Sequence, residues 1–160
     1  MQIRPFRDAD ADALWCILEP VIRAGETYAL PREMSREDAL GYWTGPDREA
    51  FVAEIDGAVA GTYYLKANQA GGGTHVANCG YVTAPAFAGR GVARAMCLDS
   101  LERARERGFR AMQFNLVVST NARAVRVWDS LGFETVGRLP RAFAHPSLGD
   151  VDALVMYRLL

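Results

Sequence analysis

The feature that most constrains this chain is a Gly-rich turn set between an extended segment and a helix. Residues 77–83 read as an extended segment, and Phe87-Ala88-Gly89-Arg90-Gly91-Val92-Ala93-Arg94 follows almost at once. From Val92 onward, Val92, Ala95, Met96, Leu98, Leu101 and Ala104 recur at roughly helical spacing, and Gly108-Phe109 suits a left-handed cap. A helix N-terminus presents N–H groups without internal partners, and its dipole adds positive potential. Gly89 and Gly91 carry no Cβ, so an anion can approach that backbone closely. Strand, turn and helix in this order predict a phosphate-binding bend.

The rest of the chain punctuates itself clearly. Residues 2–6 form a short first strand, and Asp8 and Asp10 can cap a helix carrying Leu14, Ile17 and Leu18. Pro20 and Gly25 interrupt that region, and residues 25–31 make a loop. Ser35 with Asp38 resembles a capping box that opens a helix through Trp43. Residues 51–55 and 59–65 flank Asp56-Gly57, a two-residue hairpin signal. Gly71-Gly72-Gly73 makes a turn before a strand at 75–83, and 112–118 is a further strand. Thr120 or Asn121 caps another helix, with Ala124, Val125, Trp128 and Leu131 inward and Gly132-Phe133 as its stop. Two closing strands, 135–139 and 151–159, are joined by a polar loop holding His145, Pro146 and Gly149. The pattern predicts a single α+β domain over residues 1–160, built on a mixed sheet.

Composition removes several function classes. The 160 residues are half hydrophobic with a net charge of −1, so no global field draws nucleic acid or an anionic membrane. No apolar run reaches the ~20 residues needed to span a bilayer. The first residues lack the apolar stretch of a signal peptide. Cys16, Cys79 and Cys97 are odd in number and have no metal-ligand spacing, so a cytoplasmic location and no bound metal are expected. Lys66 is the one lysine beside seventeen arginines, a bias that fits a GC-rich bacterial genome.

Three nucleotide motifs compete for the turn. A Walker loop requires Gly-Lys-Ser/Thr, which the chain lacks. A dinucleotide fingerprint requires a third Gly or Ala where Arg94 stands, within repeating βαβ units. The third is the Gln/Arg-x-x-Gly-x-Gly/Ala signature of the GCN5-related N-acetyltransferases. Ala88-Gly89-Arg90-Gly91-Val92-Ala93, with Pro85 ahead, resembles it, except that Ala88 replaces Gln or Arg. Asn121-x-x-Ala124-x-x-x-Trp128-x-x-x-Gly132-Phe133 is similar to a second family stretch, in which Tyr usually stands where this chain has Trp128.

The resemblance covers nearly the whole chain and implies a sheet splayed between its fourth and fifth strands, flanked by about four helices. It implies acetyl-CoA as acyl donor. Main-chain amides at Gly89, Arg90, Gly91, Val92, Ala93 and Arg94 would hold its diphosphate. The strand edge at Tyr81, Val82 and Thr83 would bond the pantetheine, and Asn121 and Trp128 would approach the thioester. Trp128 has an N–H donor but no proton to transfer at accessible pH, so the usual thiolate-protonating role falls to water or another group, or is lost. Asn78 and Asn115 interrupt apolar strands. Buried amides need partners, so the two either satisfy backbone groups where the sheet opens or hold the acceptor amine or its carboxylate in catalysis. A subset of the family acting on proline analogues and similar amino acids has comparable Asn placements, which implies a small acceptor.

Further candidates are Glu26, Tyr28, Trp43, Tyr63 and His145 for the acceptor pocket, while His75 is expected to be exposed and Cys79 to pack. The Arg103, Arg105, Arg107 and Arg110 cluster is interleaved with Glu102 and Glu106, the pattern of a solvated helix face. Three functions remain open. The first is an N-acetyltransferase for the amine of a small molecule, such as an amino acid or analogue. The second acts on a protein N-terminus or lysine and needs an open acidic groove. The third is a CoA-binding module without turnover. Relatives are often dimers, so a homodimer is among the expected states.

Overall fold

Asp56 and Gly57 both take positive φ, 52° and 79°, the two-residue turn whose twist suits a hairpin. They join β2 (Arg48–Ile55) to β3 (Ala58–Ala67) in the computed structural model, which describes all 160 residues. Before this hairpin come β1 (Gln2–Pro5), α1 (Ala11–Ala24) and α2 (Arg36–Trp43). After it come β4 (Val76–Thr83), α3 (Val92–Glu106), β5 (Ala111–Val118), α4 (Ala122–Ser130), β6 (Glu134–His145) and β7 (Gly149–Leu159). The strands form one sheet in the order β1-β2-β3-β4-β5-β7-β6, antiparallel throughout except between β4 and β5. This is the mixed α+β architecture with four helices that the sequence implies.

Strand alternation builds two cores. Tyr63 and Tyr64 are neighbours on β3 and go to opposite faces. Under α1 and α2 lie Leu14, Leu18, Trp43, Tyr64 and Val82. Under α3 and α4 lie Met96, Leu101, Met112, Phe114 and Trp128. Both later helices end as the sequence predicts. Phe109 N–H reaches the Ala104 carbonyl past Gly108 (φ 79°), and Phe133 N–H reaches the Trp128 carbonyl past Gly132 (φ 79°). Asn121 caps α4 by accepting from the Ala124 N–H, and Ser35 caps α2 by accepting from the Asp38 N–H.

Four local expectations are corrected. Pro20 does not interrupt α1, which runs on to Gly25 at φ 66°. An interior proline costs about 3 kcal/mol, whereas Leu14, Ile17, Leu18 and Ile22 each bury a side chain worth about 1.5–3 kcal/mol. Asp10 makes no cap bond into α1. It takes a two-pronged bond from Arg4 (2.7 and 2.8 Å) and another from the Arg7 N–H (2.8 Å), and charge-assisted forks are stronger than one neutral cap. Leu98 is exposed, because the buried stripe of α3 runs through Met96, Cys97, Ser100 and Leu101. The polar loop before the last strand is mostly strand, since β6 continues to His145 and pairs with Gly149. Most of its side chains are exposed at the sheet edge, and Phe143 is buried.

Candidate active site

Main-chain pairing between β4 and β5 is confined to Val76–Ala111 and Ala77–Met112. Beyond it the strands part. Asn78 stands at the fork, and its side-chain amide donates to the Gln113 carbonyl at 2.9 Å. The Ala84 N–H bonds Ala60 and the Val76 carbonyl accepts from Asn68, so even-numbered residues of β4 turn their main chain to β3. The edge facing the opening is therefore Cys79, Tyr81 and Thr83. Val82 is not on it: its main chain turns to β3 opposite Thr62, and its side chain is buried under α1. The Tyr81 carbonyl already accepts from the Tyr28 hydroxyl (2.8 Å), leaving the Tyr81 N–H on the edge.

The opening leads to the Gly-rich turn. Phe87 N–H to Ala84, Ala88 N–H to Pro85 and Arg90 N–H to Phe87 order its approach through main chain alone, so a long side chain at position 88 is not required for its shape. Gly89 (φ 82°) and Gly91 (φ 78°) occupy the left-handed region. The N–H groups of Gly89, Gly91, Val92, Ala93 and Arg94 have no acceptor in the protein. A Cβ on Gly91 would meet nothing within 4 Å, and one on Gly89 would meet only Arg123, at 3.7 Å. Arg90, Arg94 and Arg123 take part in no ion pair; Arg90 lies over the Phe87 ring at 5.1 Å. Free donors, open space and unpaired cations fit a diphosphate.

Between the parted strands lies a cleft of about 300 Å³. Asn78, Tyr81, Asn115, Asn121 and Trp128 all line it, together with Tyr28, Tyr42, Tyr64, Lys66 and Asn68. Asn115 departs from the expected buried amide. It is exposed on a bulge of β5, accepting from Gln113 (2.9 Å) and donating to Asn68 (2.7 Å). The Trp128 ring packs on Tyr81 and Phe114 at 4.9 and 5.3 Å, and its N–H has no protein acceptor yet is not sealed from solvent. Trp43 and Tyr63 lie outside the cleft, in the cores, bonded to Thr62 and Asp99. Glu26, His75 and His145 do not line it either.

The acid–base character of the cleft is unusual. Lys66 is the one charged side chain lining it, with no carboxylate and no imidazole. Burial pushes the Tyr28 and Tyr64 phenols up, and burial does the same to the Cys79 thiol. None of these groups is a proton acceptor near neutral pH.

The family model of the acetyltransferase (GNAT) family matches residues 14–133, a stretch containing both the fork of β4 and β5 and the Gly-rich turn. The chain belongs to the GNAT family. Within that family it is similar to a GCN5-related N-acetyltransferase from Kribbella flavida, with 43% identity, a TM-score of 0.94, and coverage of 99% of this chain and 97% of that one. It is 29% identical to the N-acetyltransferase aca1 of Schizosaccharomyces pombe, in an alignment that covers 72% of this chain and 63% of that protein. The chain thus spans less than two thirds of that relative. The fold is shared with yncA, a putative acetyltransferase from Salmonella typhimurium whose structure contains acetyl-CoA, at 22% identity, a TM-score of 0.87, and coverage of 100% of this chain and 94% of that one. For a GNAT member, the sequence reading overlooked Arg123 beside Gly89 and Lys66 in the cleft. Both reach the site through tertiary structure, Arg123 from the first turn of α4 and Lys66 from the end of β3.

Proposed function

We propose that this chain is an acetyl-CoA-dependent N-acetyltransferase that acylates the amine of a small molecule, such as an amino acid or analogue. The observation that carries this reading is the continuity of the β4–β5 opening with five unpartnered amides at the turn. When bound, acetyl-CoA supplies an acetyl group activated as a thioester. The amides of Gly89 and residues 91–94, with Arg90, Arg94 and Arg123, hold its diphosphate. The main-chain groups of Cys79, Tyr81 and Thr83 align its pantetheine arm. N–H groups on this edge are the available donors for the oxyanion that forms on acyl transfer.

The acceptor amine must be neutral to attack, and the cleft holds no carboxylate or imidazole to deprotonate it. The amine therefore enters uncharged and, on attacking the thioester, gives up one proton to water. The indole N–H of Trp128 and the amide of Asn121 give the departing sulfur hydrogen bonds, and water gives it the proton. A protein acceptor would call for an acidic groove, and no acid lines this cleft.

Thiol release from acetyl-CoA in the presence of a panel of amino acids, run beside calorimetry of acetyl-CoA, tests the reading. Acceptor-dependent thiol release is expected. Tight binding with no release from any amine would instead make the chain a CoA-binding module.

A further inference from the structure

Arg48 and Lys66 stand directly opposite each other across β2 and β3. Like charges in that register repel. One carboxylate serves both: Asp47 accepts from Arg48 at 2.7 and 3.0 Å and from Lys66 at 3.3 Å. The charges sum to +1. The Arg48 side chain is 9% exposed, and its guanidinium lies 4.9 Å from both the Tyr42 and Tyr64 rings and leaves its Nη1 buried without a partner. Tyr42, Tyr64 and Lys66 are walls of the cleft. Glu49, the next residue on β2, is committed to Arg107. The cluster is therefore a cation pair short of one anion, and its only member in the cleft is Lys66.

We propose that Lys66 anchors an anionic group carried by the acceptor beside its amine, a carboxylate in the simplest case. Asp47 and Arg48 are positioning residues: Asp47 tethers the ammonium, and Arg48 fixes Asp47 and the two tyrosine walls. The proposal rests on the amine-acetyltransferase reading and deepens it, because it names an acid-bearing amine as the acceptor.

The test pairs glycine, L-alanine and L-proline with glycinamide, L-alaninamide and L-prolinamide, following thiol release with wild type, Lys66→Met, Lys66→Arg and Asp47→Asn. A hydrogen bond to a charged group corresponds to about tenfold or more in affinity. The wild type should therefore favour at least one acid over its amide by about tenfold in kcat/KM. Lys66→Met should bring that ratio to about one through the acceptor KM, with the KM for acetyl-CoA unchanged, and Lys66→Arg should restore it. Asp47→Asn should raise the acceptor KM with kcat unchanged. Calorimetric titration of the same acids into the CoA-saturated enzyme reads the anchor without turnover. A wild type that treats acids and amides alike, or a Lys66→Met variant that keeps the preference and the binding, overturns the anchor and leaves the transferase reading intact. Acid binding lost in Lys66→Met without thiol release from any pair overturns the transferase reading and leaves the anchor standing.

Discussion

The side-chain amide of Asn78 donates to the main-chain carbonyl of Gln113 at 2.9 Å, at the point where β4 and β5 cease to pair. A side chain on one strand thus satisfies the other strand's backbone as they separate. Asn78→Ala leaves that carbonyl without its donor, at an expected cost of about 1–3 kcal/mol in urea unfolding. Asn115→Ala, at an exposed position, should stay within about 0.5 kcal/mol of wild type. In kinetics, Asn78→Ala should raise the acceptor KM more than that of acetyl-CoA. Equal rises in both would refute a place for Asn78 on the acceptor side.

Gly91 begins α3 at φ 78° with nothing within 4 Å of where a Cβ would stand. Gly91→Ala should fold with a loss of about 1 kcal/mol from the left-handed conformation. Gly91→Glu places bulk and negative charge beside the free amides, and acetyl-CoA binding should vanish in calorimetry. Unchanged affinity would place the diphosphate elsewhere.

Trp128→Phe keeps an aromatic ring against Tyr81 and Phe114 and removes the indole N–H. If that N–H supports the departing sulfur, kcat should fall about five- to tenfold, the equivalent of one hydrogen bond. Affinity for acetyl-CoA should stay within about threefold of wild type, because ring packing contributes to binding and is retained. An unchanged kcat would mean that the N–H plays no part in the chemistry.

Asp10 tests the electrostatics of the fold away from the cleft. The hydrogen bonds from Arg4 hold its carboxyl below the usual range, with a further contribution from the Arg7 N–H. A carboxyl lowered in the folded state contributes stability that is complete above its unfolded pKa of about 3.9. That contribution is lost as pH falls through the lower folded value. Between about pH 5 and pH 2, the wild-type Tm should drop more steeply than that of Asp10→Asn. Parallel curves would show that the Arg4 pair adds nothing to acid stability.

Much of the fold was legible because each signal is local. Asp56-Gly57 dictates its own turn, Gly108 and Gly132 dictate helix ends, and Gly89 and Gly91 mark the bend before α3. Residues whose role is set by distant partners were read less well. Asp10 looks like a cap until Arg4 is placed beside it, and Asn115 looks buried until the β5 bulge turns it outward. Val82 lies on the right strand, but which way its main chain points depends on β3. Arg48 and Lys66 are eighteen positions apart, and only the β2–β3 register makes them neighbours. The Gly-rich turn is marked by local sequence, whereas the far end of the cleft depends on which residues tertiary structure gathers there.

The proposed cofactor site rests on five amides at the start of α3 that grip the diphosphate. Titrating CoA into ¹⁵N-labelled protein and following the amide resonances tests it most directly. The largest shifts are expected at Gly89, Gly91, Val92, Ala93 and Arg94. Saturation by CoA with those five resonances unmoved would contradict it.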